Sequence, residues 1–223
     1  MLGKRREAGR SSRLHVLGTA SLKAARGHCG ELLTLVKRFP NMLEDGRRQA
    51  KMLDVIDLTL EFHDHLIPET VVEHLNLHMD EGDIVGLVGE SGSGKSMTAL
   101  AVAGLLRRHD MKKTGQIVFQ GKELLSCPRK ELRALQGDEI GIVFQEPMTS
   151  LNPVYRIGWQ VEESLRIHRP AMGKDERRQH AMEMLSAVEL ADPERIYASY
   201  PHQISGGQRQ RVMIAAAMIC APK

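Results

Sequence analysis

The chain has 223 residues, 42% of them hydrophobic and 26% charged, a balance that supports a packed core and argues against a disordered or fibrous chain. The net charge of +3 hides an asymmetry. Residues 1–51 hold 12 Lys/Arg and 4 Asp/Glu, a net of +8, and the rest carries a net of −5, so the overall basicity does not point to a nucleic-acid partner. No apolar stretch approaches the roughly 20 residues of a membrane span; MIAAAMICA (Met213 to Ala221) is too short and too rich in alanine. Cys29, Cys127 and Cys220 stand far apart in no metal-binding spacing, as expected of reduced thiols in the cytosol.

Residues 1–51 show no sustained hydrophobic period and are rich in Arg, Ser and Gly. A basic tail, an organelle transit peptide and a non-native extension ahead of a true start at Met52 all fit that composition. The last is favoured, because nothing in the segment could build a core alone. The strand pattern begins at Met52, where Ile56, Leu58, Leu60 and Phe62 alternate as in a half-buried strand. A second alternating run, His74 to Met79, leads into the acidic glycine turn DEGD.

DIVGLV (Asp83 to Val88) then reads as a buried strand and SMTALAVAGLLRR (Ser96 to Arg108) as a helix. Between them lies GESGSGKS, which places Gly89, Gly94, Lys95 and Ser96 on the fixed positions of G-x-x-x-x-G-K-[ST]. Glycines at Gly89, Gly92 and Gly94 free the backbone to point successive N–H groups inward, making a concavity for an anion. The helix start adds the positive end of its dipole. Lys95 would bring a mobile charge to the β- and γ-phosphates and Ser96 a hydroxyl to Mg²⁺. Glu90, Ser91, Ser93 and Met97 complete the stretch that would surround a nucleotide such as ATP.

Further on, GQIVFQGKEL (Gly115 to Leu124) predicts a strand, a turn at Gly121 and a short continuation. EIGIVF (Glu139 to Phe144) predicts another buried strand, ending at Gln145. Two helical patterns follow, Gly158 to His168 and Lys174 to Leu190; in the second, Ala181, Met184, Leu185 and Val188 form a core stripe. ISGGQRQR (Ile204 to Arg211) combines an N-cap serine, Ser205, with Gly206 and Gly207 and a strong helix sequence from Gln208 onward. Alone it is either a cap or a second phosphate site at a helix start.

The order of these motifs resembles the ATP-binding subunit of ABC transporters, where a Walker A loop, a Q-loop glutamine and an L-S-G-G-Q signature follow one another as GESGSGKS, Gln145 and ISGGQ do here. FQEPMTSLNP and YPHQISGGQRQRVMIA are similar to the oligopeptide, dipeptide and nickel branch of bacterial importers. The resemblance runs from Met52 to Lys223, with Ile204 in place of the usual Leu. It implies an α/β fold: a P-loop, RecA-like core, an antiparallel β-subdomain, and a helical subdomain from about Asn152 to Pro201. It implies ATP and Mg²⁺ as ligands, Phe62 against the adenine ring, Ser96 and Gln145 at the metal, and Ser205, Gly206, Gly207 and Gln208 facing nucleotide held by a second ATPase subunit. Two membrane permease subunits and, indirectly, a periplasmic solute-binding protein are the implied partners, with no nucleic acid. The implied location is peripheral, on the cytoplasmic face of the bacterial inner membrane.

In that family an apolar strand ending in Asp-Glu, then a D-loop and a switch histidine, follow the signature helix. No such motif lies between the signature and Lys223, and all ten histidines precede Ser205. The sequence therefore reads as the N-terminal part of an importer ATPase, expected to hold nucleotide without a residue that activates water. Two other readings stay open: a non-catalytic truncated remnant, and a soluble ABC ATPase acting on DNA or ribosomes.

Overall fold

The computed structural model describes residues 15–17, 51–63, 68–106, 109–145 and 150–223. They fall into two compact units, residues 1–127 and 128–223.

The first unit is built on an antiparallel sheet. β1 is His15–Leu17, β2 Lys51–Phe62, β3 Glu69–Asp80, β4 Gly86–Val88, β5 Met111–Phe119 and β6 Lys122–Glu123. The four-stranded sheet has the order β3-β2-β5-β6. Leu53, Val55, Leu58 and Leu60 of β2 are buried with Val72, Leu75 and Leu77 of β3 and Ile117 and Phe119 of β5. The expected alternation through Ile56 is corrected: Ile56 is exposed, and the ladder shifts register between Val55 and Leu58. Asp57 adopts a φ of 53° there, so the bulge moves the inward face from odd-numbered to even-numbered residues. Gly115 of β5, at φ 93°, lies against this bulge, where a Cβ would overlap the Asp57 carbonyl.

The segment expected as a buried strand from Asp83 is a strand only over β4. β4 pairs antiparallel with β1, in the register His15 with Val88, Val16 with Leu87 and Leu17 with Gly86. The helix behind the loop, α1, spans Lys95–Val102 and not the predicted 96–108. Gly104, at φ 68°, closes it, as a left-handed glycine after a helix does. Residues 107 and 108 lie outside the described residues.

The second unit is helical: α2 Arg129–Leu135, α3 Ile157–Val161, α4 Glu163–His168, α5 Lys174–Ala187, α6 Pro193–Ala198 and α7 Gly206–Met218. Ile157, Val161, Leu165, Ala181, Leu185, Val188, Ile196 and Val212 form its core. The predicted stripe on α5 holds, with Met184 at its half-buried margin. The helix expected from Gly158 to His168 is two short helices meeting at Glu162.

EIGIVF does not form the predicted strand. Residues 141–144 have no regular structure and Val143 and Phe144 are exposed. A strand exists by virtue of its ladder, and among the described residues the backbone bonds of this segment belong to Glu139 and Ile140: both N–H groups donate to the Leu135 carbonyl, Ile140 bridges Gln136, and the Glu139 carbonyl accepts from Lys223 N–H at 3.2 Å.

Candidate functional site

The first site is the Gly89–Ser96 loop between β4 and α1. Gly92 and Gly94 take φ of 84° and 83°, which few other residues tolerate. Gly94 is also pressed onto β3: a Cβ there would lie 2.7 Å from the Val71 carbonyl oxygen and 2.7 Å from Val72 Cγ2. Loop and helix are stitched at this point, since Thr98 N–H and its hydroxyl both donate to the Gly94 carbonyl, at 2.8 and 3.0 Å. Thr98 is fully buried and Ala101 packs one turn below it.

Lys95 folds back into the loop. Its Nζ donates to the carbonyls of Gly89 at 2.8 Å and Glu90 at 2.6 Å, and to Ser93 Oγ at 3.2 Å. Ser93 is buried, and its N–H donates to Glu90 O at 3.2 Å, closing the turn. The ammonium is thus held by neutral oxygens that an arriving phosphate, carrying full negative charge, would outcompete. Glu90, Ser91, Gly92 and Ser96 are exposed, while Gly89, Lys95 and Met97 are partly covered. The N–H groups of Lys95, Ser96 and Met97, in the first turn of α1, have no acceptor within the helix. Donors and a cation converge here, so the residues present fit a phosphate chain. The exposed Ser96 hydroxyl at the helix start suits a hard cation accompanying it.

Phe62 ends β2, opposite Glu69 of β3 and Met111 of β5, and is partly exposed.

The second unit holds the other two candidates. Gln145 is exposed in a bend after the unpaired 141–144 segment. At the start of α7, Ser205 caps the helix in a reciprocal box: its Oγ accepts from Gln208 N–H at 3.3 Å and its N–H donates to Gln208 Oε1 at 3.0 Å. Ser205, Gly206 and Gly207 are exposed, and a Cβ on either glycine would meet nothing within 4 Å. The cap therefore leaves an open approach to the helix start. Ile204 anchors it from below, 5% exposed. Arg211 ties α7 to the end of α5 through the carbonyls of Val188 at 3.0 Å and Glu189 at 3.1 Å.

The sequence reading missed a buried node in this unit. Glu162, 5% exposed, accepts a hydrogen bond from the Tyr197 hydroxyl and pairs with Arg166 at 3.4 Å and Arg177 at 3.8 Å. Burial and this carboxylate push the Tyr197 phenol up to about 12. Tyr197 lies 35 residues from Glu162, and no local signal announces that contact. The histidine–aspartate pairs of β2 and β3 were missed for the same reason. His78 pairs with Asp54, and His74 Nδ1 lies 2.6 Å from Asp57 Oδ1.

Comparison with known proteins was made against this geometry. Residues 72–223 match the ABC transporter family. The chain is 42% identical over 173 residues to a probable peptide ABC transporter ATP-binding protein of Sinorhizobium fredii, covering 77% of this chain and 51% of that protein. It is 42% identical over 172 residues to the dipeptide transport ATP-binding protein of Escherichia coli, covering 77% and 52%. The oligopeptide transport ATP-binding protein of Salmonella typhimurium is 44% identical, at 77% and 51% coverage. The chain thus spans about half the length of the curated relatives it matches. Among solved structures it is similar to a dimeric ATP-binding cassette in a post-hydrolysis state with ADP and Pi, at a TM-score of 0.66 and 30% identity, covering 77% of this chain and 71% of that one. No helix among the described residues is long and apolar enough to cross a membrane. With more than half its length matched by the family and an α/β cassette as its structural neighbour, the chain belongs to the ABC transporter family.

Proposed function

We propose that this chain is an ATP-binding component of an ABC import system for peptides, coupling nucleotide binding to solute uptake through membrane partners. The observation that carries the nucleotide half is the Gly89–Ser96 loop: two left-handed glycines and a lysine ammonium folded among its carbonyls lead directly into the first turn of α1. The names of the relatives support the peptide half. In this reading Lys95 and the N–H groups of Gly94 to Met97 hold the triphosphate, Phe62 lies along the base, and Ser96 holds Mg²⁺. The ion supplies charge neutralisation between the phosphates when bound.

The exposed start of α7, Ser205 to Gln208, serves nucleotide on a second ATPase subunit, since a capped helix N-terminus with open N–H groups favours an anion. The similar solved cassette is a dimer, which supports that pairing. Permease subunits in the membrane, a periplasmic solute-binding protein acting through them and a site on the cytoplasmic face complete the proposal. We assign nucleotide binding to residues 52–223, with the helical subdomain near 152–201.

Uptake tests the substrate half separately from nucleotide binding. Deleting the gene in its native host should abolish growth on a dipeptide as sole source of a required amino acid, and a plasmid copy should restore it. Undiminished growth of the deletion strain across di- and oligopeptides would contradict the peptide assignment while leaving ATP binding standing.

A further inference from the structure

The β2–β3 ladder carries two irregularities that cancel. From Val55, opposite Leu77, to Leu58, opposite Leu75, β2 has one residue more than β3; from Leu58 to Leu60, opposite Val72, β3 has one more than β2. Asp57 in the first bulge and His74 in the second take left-handed φ of 53° and 48°. Each is locked across the strands. Asp57 N–H donates to Asn76 Oδ1 at 3.0 Å, His74 N–H donates to Thr59 Oγ1 at 3.1 Å, and the two side chains meet at 2.6 Å. The second bulge turns the inward face of β3 from Leu77 and Leu75 to Val72. Without it the inward place opposite Leu60 would fall to Glu73. Val72 and the Val71 carbonyl are the wall against which Gly94 is pressed.

We propose that the Asp57–His74 pair is a positioning element for the phosphate loop: it pins the two compensating bulges together and so holds Val71 and Val72 against Gly94. The role in ligand binding rests on the reading of Gly89–Ser96 as a nucleotide site; the pair acts on that site through β3. The charged groups acting on His74 are Asp57 of β2 and Glu73 of its own strand. β5 presents Thr114, Gly115 and Gln116 at this place, none of which titrates. The Asp57 carboxylate favours the imidazolium, so the pin is tightest below pH 6.5 and slackens as pH climbs through the raised folded value of His74. Both side chains are exposed, so the effect is largest at low ionic strength.

Hydrogen–deuterium exchange and titration with ATP and Mg²⁺ test it on the full chain, wild type against His74→Asn, at about pH 6 and pH 8.5. Asparagine tolerates the left-handed backbone, so the bulge keeps its geometry while the cation is lost. The amides to follow are Ser93 and Thr98, bonded to the carbonyls of Glu90 and Gly94. Near pH 6 the loop peptide carrying them should exchange about two- to fivefold faster in the variant, and ATP should bind about two- to fivefold more weakly, the range an exposed ion pair supports. Near pH 8.5 both ratios should fall towards one; comparing the two proteins at one pH cancels the titration of ATP itself. Equal loop exchange near pH 6 would overturn the positioning role. A deficit of the same size at both pH values would overturn it too, since a merely structural pair behaves that way. The expected exchange ratios with no ATP binding by either protein would support the positioning of the loop and contradict the nucleotide reading instead. If His74→Asn also loses protection in β5, Asp57→Asn decides by the same ratios, and equal loop exchange in that variant and the wild type overturns the proposal.

Discussion

The α-carbon of Gly94 sits so close to β3 that a Cβ would meet the carbonyl oxygen of Val71 at 2.7 Å. The glycine loop is thereby wedged against the antiparallel sheet, and its shape is set from outside as much as by its own sequence. Gly94→Ala combines this overlap with a φ of 83° and should cost about 2–4 kcal/mol, from backbone strain plus overpacking. Gly92→Ala carries the same φ penalty with nothing within 4 Å, so it should cost only about 1–2 kcal/mol. Urea unfolding of the two variants checks the ranking; equal losses would mean that contact with Val71 and Val72 does not position the loop.

In the helical unit, the Tyr197 ring occupies the space a side chain on Gly158 would need, and its hydroxyl donates to buried Glu162. Tyr197→Phe should destabilise the protein by about 1–3 kcal/mol, because a buried acceptor loses a donor. Gly158→Ala should cost about 1–3 kcal/mol through overpacking against the ring. Both act on the Tyr197 ring, which the hydroxyl bond to Glu162 tethers and a methyl group at Gly158 would displace, so the double variant should lose less than the sum of the single losses. Strict additivity in denaturant unfolding would separate ring packing from the hydrogen bond.

The β2–β3 histidines predict a pH dependence. The Asp57 carboxylate raises the pKa of His74 above its ordinary 6.5, and the Asp54 carboxylate does the same for His78. A raised folded-state value means the stabilisation is complete below 6.5 and disappears as pH climbs through the folded value. Asp54, lowered from 3.8 chiefly by His78, has the opposite sign: its contribution is present above 3.8 and is lost as pH falls through the lowered value. Exchange protection in β2 and β3 should therefore be greater near pH 6 than near pH 8.5, the two sides of an ordinary histidine titration. His78→Gln should flatten that slope. Protection that rises with pH in the wild type would reverse the assignment.

Much of this architecture was legible because its signals are local. The strand from Met52, the turn at Gly121, the core stripe on α5 and the cap at Ser205 all depend on neighbours within a few residues, and all are found. The errors came where distant chain decides. Ile56 was placed inside because the bulge at Asp57 depends on Gly115 across the sheet. EIGIVF has the composition of a buried strand yet has no ladder among the described residues, and apolar composition alone cannot supply one. Of the candidate site, the glycine loop could be read residue by residue. Its clamp on β3 could not, since that requires the folded backbone of another segment, and the self-coordination of Lys95 follows from the loop's folded conformation and not from its spacing.

The central claim, that Gly89–Ser96 is a nucleotide-phosphate site, is tested most directly by ligand-induced stabilisation of the wild type and of Lys95→Ala. With ATP and Mg²⁺ at about 100 times the dissociation constant, linkage adds about 2.7 kcal/mol to the wild-type fold, visible as a rise in melting temperature of about 5–11 °C for a chain of this size. Lys95→Ala removes the ammonium now held by Gly89, Glu90 and Ser93, and its melting temperature should not move with nucleotide at the same concentration. Equal ATP-induced shifts in the two proteins would contradict the account.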